Sequence, residues 1–237
     1  MATKLEKALQ REQSELRRRE KQLSARGNQF YMVYLLMILA LIYITDEIAS
    51  TIGIQFQSNI INEFYVQKMG LTYGEGMSLS SALSFISYPI TVLIVFYRPL
   101  ADKFGRKPFL VINTFSMGLG LFLVYLSDNL VVYLLGSTMM SFMVSHDMQC
   151  VYILECSSEK TRARNYALVK SVAILGTLLV PLLRETLMHN QSERWHLVFL
   201  IPAIIGFSMS LIALMFARET NTFLVKRIAY LKTTPEE

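Results

Sequence analysis

Hydrogen-bonding and charged side chains set inside long apolar runs are where this sequence concentrates its chemistry. Asp46, Glu47 and Ser50 fall late in the run from Phe30 to about Ile54, and His146, Asp147 and Gln149 fall within Leu130–Leu154. A charge within hydrocarbon costs several kcal/mol unless it faces a cavity or a partner, so each of these residues is a functional candidate. Tyr43, Asp46, Glu47, Ser50 and Thr51 form a polar face at helical spacing. Such a face suits a cation or proton site, or a wall that hydrogen-bonds a polar solute. The alternative is an outer-interface position where the two carboxylates are merely solvated. At 1.5 Å per residue the acidic pair lies roughly 24 Å from the inner end of its run, and about 10–15 Å of depth separates it from His146 and Asp147. His146 titrates in the range a proton relay needs; a hydrogen-bonded His146–Asp147 pair that locks helix packing is the competing reading.

A second constellation is basic and lies between the apolar runs Leu79–Tyr97 and Phe109–Leu126. It reads Leu100-Ala101-Asp102-Lys103-Phe104-Gly105-Arg106-Lys107. Gly105 lets the backbone reverse, since it takes φ > 0 without steric cost. Asp102 is placed to accept backbone N–H groups or to pair with a guanidinium, while Arg106 and Lys107 hold the turn on the cytoplasmic side. Glu155 and Arg162, seven residues apart, sit on another basic turn, Glu155–Asn165. Opposite charges on one wet surface pair only weakly.

The elements that must position these groups are apolar runs near the roughly 20 residues that cross a bilayer. Besides the first they are Leu79–Tyr97, Phe109–Leu126, Leu130–Leu154, Tyr166–Leu183 and Leu197–Phe216, so six spans are expected. Gln55–Met77, whose start could also prolong the first helix, Ser127–Asn129 and Arg184–His196 then form outer loops. Twenty of the 23 Lys and Arg residues fall on inner segments, which puts both termini in the cytoplasm. Residues 1–28 form a charged N-terminal segment with Leu5, Leu9, Leu16 and Leu23 on a thin stripe. A membrane-surface helix, a disordered tail and a short coiled coil all fit that stripe. Residues 29–217 form the bundle and 218–237 a cytoplasmic tail or the start of a central loop. The fold class is all-α and polytopic, a multi-pass protein of the cell membrane.

Composition narrows the function. The chain is 53% apolar, with a mean hydropathy of +0.38, a net charge of +5 and a pI near 9.2. Its basic residues cluster at the ends of apolar runs, so topology accounts for them and no nucleic-acid partner is expected. Cys150 and Cys156, six apart, imply neither a disulfide nor a metal site. Without a phosphate-binding loop, catalytic triad or metal-ligand cluster, the sequence reads as non-enzymatic and cofactor-free.

The segment Leu100–Lys107 resembles the G-x-L-A-D-x-x-G-R-K signature of the major facilitator superfamily, with Arg98 where the family usually has Gly. Glu155 to Ala163 is similar to that family's E-x-x-P-x-x-x-R-G segment, with Ser158 and Ala163 in place of Pro and Gly. The resemblance covers about residues 30–220 and is to the N-terminal six-helix half of a sugar-porter-like member. It implies a secondary active transporter moving a small polar solute by alternating access, in symport with a proton or sodium ion. It also implies that helices one and four line the central cavity, with Asp147 and Gln149 among the lining residues. Contacts among Asp102, Arg106, Glu155 and Arg162 would hold one state, and a second six-helix bundle, its own C-terminal half or a homodimeric partner, would close the pathway. An Arg common in helix four of proton-coupled members is absent near Leu135 and Gly136. The alternative function is a half-size membrane interaction protein that keeps the fold without transporting.

Overall fold

A computed structural model describes residues 2–24, 29–85, 87–144, 148–188 and 194–233. Its regular elements are helical throughout the described residues. Helix α1 (Ala2–Ser24) precedes the first span, α2 (Gln29–Gln55), which continues into α3 (Gln57–Ile60) and a π-helical turn, Ile61–Gln67. The second span is segmented into α4 (Tyr73–Ser84), α5 (Ser87–Val92) and α6 (Ile94–Phe104). Then come α7 (Arg106–Tyr125), α8 (Leu130–Val144), α9 (Met148–Cys156), α10 (Arg162–Ala173), α11 (Leu175–Met188), α12 (Leu197–Phe216) and α13 (Asn221–Thr233).

Five helical stretches among the described residues are long and apolar enough to cross a membrane: Tyr31–Gln55, Tyr73–Phe104, Arg106–Tyr125, Arg162–Met188 and Leu197–Phe216. The expected fourth span runs as α8 and α9 on either side of residues 145–147. His146 and Asp147 therefore lie outside the described residues, as does His189.

Two apolar clusters hold the bundle. One gathers Ile48, Ile52, Phe56, Phe64, Trp195 and Phe199; the other gathers Leu35, Leu39, Tyr43, Leu110, Tyr152 and Ile153. Helices cross closely where side chains are missing. A Cβ on Gly206 of α12 would stand 3.0 Å from the Cα of Gly118 on α7, and one on Gly120 would stand 2.9 Å from the Gly136 carbonyl of α8. Small residues at a crossing are what let two helix backbones approach this closely.

Two expectations change. Gln55–Met77 is not a polar loop but mostly helical, because Phe56, Ile60, Ile61, Phe64 and Tyr65 bury one face against the core. Helix α4 then starts at Tyr73, six residues before the expected span, on a reciprocal cap in which the Thr72 hydroxyl takes the Glu75 N–H and the Glu75 carboxylate takes the Thr72 N–H. The basic turn also shrinks to one residue: α6 runs to Phe104, α7 begins at Arg106, and only Gly105 between them leaves the helix, with φ 114° and ψ 155°.

The terminal segments meet. Helix α1 packs along α13 through Arg227 Nη2 to Glu15 Oε2 at 3.2 Å and Lys232 Nζ to Glu20 Oε1 at 2.8 Å. The expected tail is thus an ordered helix from Asn221 to Thr233, with Phe223, Leu224 and Ile228 buried.

Candidate functional site: a polar cavity and a charged cluster

Helix α2 presents Glu47 to α10, where Lys170 Nζ lies 3.2 Å from Glu47 Oε1. The same ammonium sits 4.3 Å from the centre of the Tyr43 ring, one turn before Glu47. Both partners belong to membrane-length helices. The contact is close because Gly176 lets α11 reach α2: a Cβ there would stand 2.5 Å from the Ile44 carbonyl. Lys170, grouped by sequence with the inner basic residues, is instead eight residues into its span, about 12 Å at helical rise. Asp46 is 6% exposed on the same helix.

Ser50 Oγ donates to the Glu47 carbonyl at 2.9 Å and Thr51 Oγ1 to the same carbonyl at 2.7 Å. Ser50 also lines a cavity of about 490 Å³ between α2, the α4–α5 segment and α8. Gln57, Ser80, Ser84, Tyr133 and Ser137 add further neutral hydrogen-bonding groups to its wall. Its volume falls in the range of small-molecule sites, and neutral donors and acceptors suit a polar solute. Gln149, expected as a lining residue, is fully buried on α9 instead, and its amide makes no hydrogen bond among the described residues. Asn113 on α7 is buried in the same way.

The basic turn builds the second constellation. Arg106 Nη2 lies 3.0 Å from Glu155 Oε1, Arg106 Nε lies 3.3 Å from the same oxygen, and Arg106 also pairs with Asp102 near the end of α6. Asp102 therefore takes the guanidinium partner of its two expected options. Leu100 is exposed beside it. Arg162, half-buried at the start of α10, makes no ion pair with Glu155 or Asp102 among the described residues.

Sequence reasoning missed Glu219. Its Oε1 accepts the backbone N–H groups of Arg106 at 2.7 Å, Lys107 at 3.1 Å and Thr220 at 3.1 Å. The first two are unsatisfied donors at the start of α7, so a carboxylate 113 positions away caps that helix. Gly105 leaves the room for it, since a Cβ there would collide with Glu219 Oε2. Burial pushes the Glu219 carboxyl above the ordinary range, against the pull of those three N–H donors.

At the other end Glu63 fastens the helix ends together. It accepts Trp195 Nε1 at 2.7 Å, meets His196 Nε2 at 2.9 Å and pairs with Lys68 Nζ at 2.9 Å. Lys68 also donates to the Asp128 carbonyl at 2.7 Å, which ties in the α7–α8 turn. Burial alone would raise the Glu63 carboxyl, but hydrogen bonds from Lys68, His196 and Trp195 outweigh it and hold it below its usual value of 4.5.

The sequence and the helical bundle both have known counterparts. The tetracycline resistance protein, class H, of Pasteurella multocida is 25% identical over 188 residues, covering 78% of this chain and 45% of that protein. The solved bacterial homologue of the human lysosomal transporter Spinster, inward-facing and unoccupied, superposes with a TM-score of 0.65 at 17% identity, over 82% of this chain and 44% of that one. The chain thus spans somewhat under half the length of the relatives it matches. The family model of the Major Facilitator Superfamily matches residues 28–229. With most of its length accounted for by that model and its fold matching half of a family transporter, the chain is a multi-pass membrane protein that belongs to the major facilitator superfamily.

Proposed function

We propose that this chain forms the N-terminal half of a secondary active transporter that moves a small polar solute across the cell membrane by alternating access. The observation that carries the reading is the cavity of about 490 Å³ lined by hydroxyl and amide side chains, one wall of which is α2, the helix that also carries Glu47 of the Glu47–Lys170 pair. Glu47 and Asp46 are the carboxylates that would bind a proton or sodium ion moving with the solute. Ser50 belongs to the solute wall. The Asp102–Arg106–Glu155 cluster acts as the cytoplasmic gate, with Arg162 joining it in another state and both termini in the cytoplasm. A second six-helix bundle covers the apolar outer faces of Tyr73–Phe104 and α10–α11, where Phe85, Tyr88, Phe96, Leu168 and Leu178 are exposed.

The test is solute flux in proteoliposomes made with the protein from its native gene, under imposed proton or sodium gradients. Tetracycline is the first probe, because a relative carries that name, followed by sugars and polyols. Expected is saturable flux that falls at least tenfold in Glu47→Gln and in Lys170→Met, and that cycles more slowly in Asp102→Asn at unchanged membrane abundance. Flux absent for every probe, or indifferent to all three substitutions, would overturn the reading in favour of a membrane interaction protein.

A further inference from the structure

The cytoplasmic ends of α7 and α12 carry a cavity of about 700 Å³ unrelated to the transport cavity. Helix α1 contributes Arg18, Arg19 and Lys21 to it, α7 contributes Lys107, and the α12–α13 junction contributes Arg218. Five basic residues face one carboxylate, Glu219, which is engaged by three backbone N–H groups. Phe104, Met215 and Phe216 form an exposed apolar margin to the same cavity.

A second cavity, of about 350 Å³, is an apolar groove between the same two helices. On α7 it is lined by Val111, Ile112 and Phe115, four to eight residues beyond Lys107, or about 6–12 Å along the helix. On α12 Leu211 and Leu214 lie within a turn of Met215. The groove's one hydroxyl is consumed internally, since Ser210 Oγ donates to the Val111 carbonyl at 3.1 Å. Phe115 and Phe207, with ring centres 5.3 Å apart, lie along its far part.

Basic groups at the level where a span ends, continuing into an apolar channel on the same helix pair, match the two parts of one amphiphile. We propose that this surface is a binding site for an anionic phospholipid, its phosphate among Arg18, Lys21, Lys107 and Arg218 and an acyl chain in the α7–α12 groove. Basic pockets between membrane helices bind anionic lipid headgroups. The N-terminal helix completes the site, because three of the five basic residues come from α1.

Native mass spectrometry of the protein released from nanodiscs of phosphatidylcholine with a minor fraction of phosphatidylglycerol tests this. Expected is retention of phosphatidylglycerol well above its share of the disc. The double variant Arg18→Gln/Lys21→Gln should lower its affinity about 25-fold, at roughly fivefold per basic group. Arg11→Gln/Arg17→Gln removes the same charge from residues of α1 outside the cavity, and should change retention less than twofold. Glycerol 3-phosphate, which keeps the phosphate and lacks the acyl chains, should compete only weakly. Equal retention of both lipids, equal loss in both double variants, or equally tight binding of glycerol 3-phosphate would each overturn the proposal.

Discussion

Exchanging the charges of the Glu47–Lys170 pair probes the bundle where structure and proposed function meet. At the observed 3.2 Å the attraction is about 5 kcal/mol at an effective dielectric of about 20, and about 1 kcal/mol in bulk water. The side chains are 33% and 25% exposed, so solvent screening brings the expected coupling to about 2 kcal/mol. The contact of Lys170 with the Tyr43 ring adds roughly 0.5–1 kcal/mol, but that loss accompanies Lys170→Met alone and drops out of the coupling. Equilibrium unfolding in mixed micelles, followed by circular dichroism, measures the wild type, Glu47→Gln, Lys170→Met and the double variant. Each single variant should be less stable, and the double variant should recover about 2 kcal/mol relative to the sum of the singles. Glu47→Lys/Lys170→Glu should be more stable than either of its single components. A coupling below about 0.5 kcal/mol would refute the account, because the two groups would then be solvated independently.

The remaining predictions concern the two ends of the bundle. Glu219→Ala leaves the first N–H groups of α7 without their acceptor and should cost about 2–3 kcal/mol, the upper range for a lost cap with buried donors; in the same unfolding assay a change below about 0.5 kcal/mol would show that water replaces the carboxylate. Glu63 has a lowered carboxyl, so its share of stability is present above pH 4.5 and is lost as pH falls through the still lower folded value. Trp195, the chain's one tryptophan and a donor to Glu63, reports this directly: its emission should shift to the red below pH 4.5 in the wild type. An identical acid shift in Glu63→Gln would assign the transition to another group.

The spans were legible because about 20 apolar residues have few other stable uses. The Asp102–Arg106 contact was legible as well, since opposite charges on one short turn that reverses at Gly105 are held within reach of each other. What joins the helices was not. Glu47 and Lys170 are 123 positions apart, and Arg106 and Glu219 are 113, so no local period links them. Lys170 did carry a signal, a cation inside the run Tyr166–Leu183, but it was read with the basic flank that precedes it. The segment after Gln55 hid a helical face because Gln57, Asn59, Asn62 and Glu63 interrupt the apolar positions, and only burial of Phe56, Ile60, Phe64 and Tyr65 distinguishes it from a loop. Glu219 has no sequence signature at all, since a cap supplied from another segment leaves no mark near the helix it closes.

The segmented second span has a mechanical consequence. At its two joints the ladder is tightened: Phe85 N bonds Ala82 O and Tyr88 N bonds Phe85 O, both at 3.2 Å, while Leu93 N bonds Ile90 O at 3.1 Å and Phe96 N bonds Leu93 O at 3.0 Å. These are three-residue spacings, with poorer alignment than the four-residue bonds of the flanking pieces. A rod assembled from three pieces bends at its joints before its pieces deform, and this one is buried nowhere along its apolar window. Its Asp102 end is tied to α7 through Arg106, while the Thr72–Glu75 cap closes only its own first turn. Motion passed in from α7 would be taken up at the joints, so this helix would serve as a jointed linkage rather than a lever.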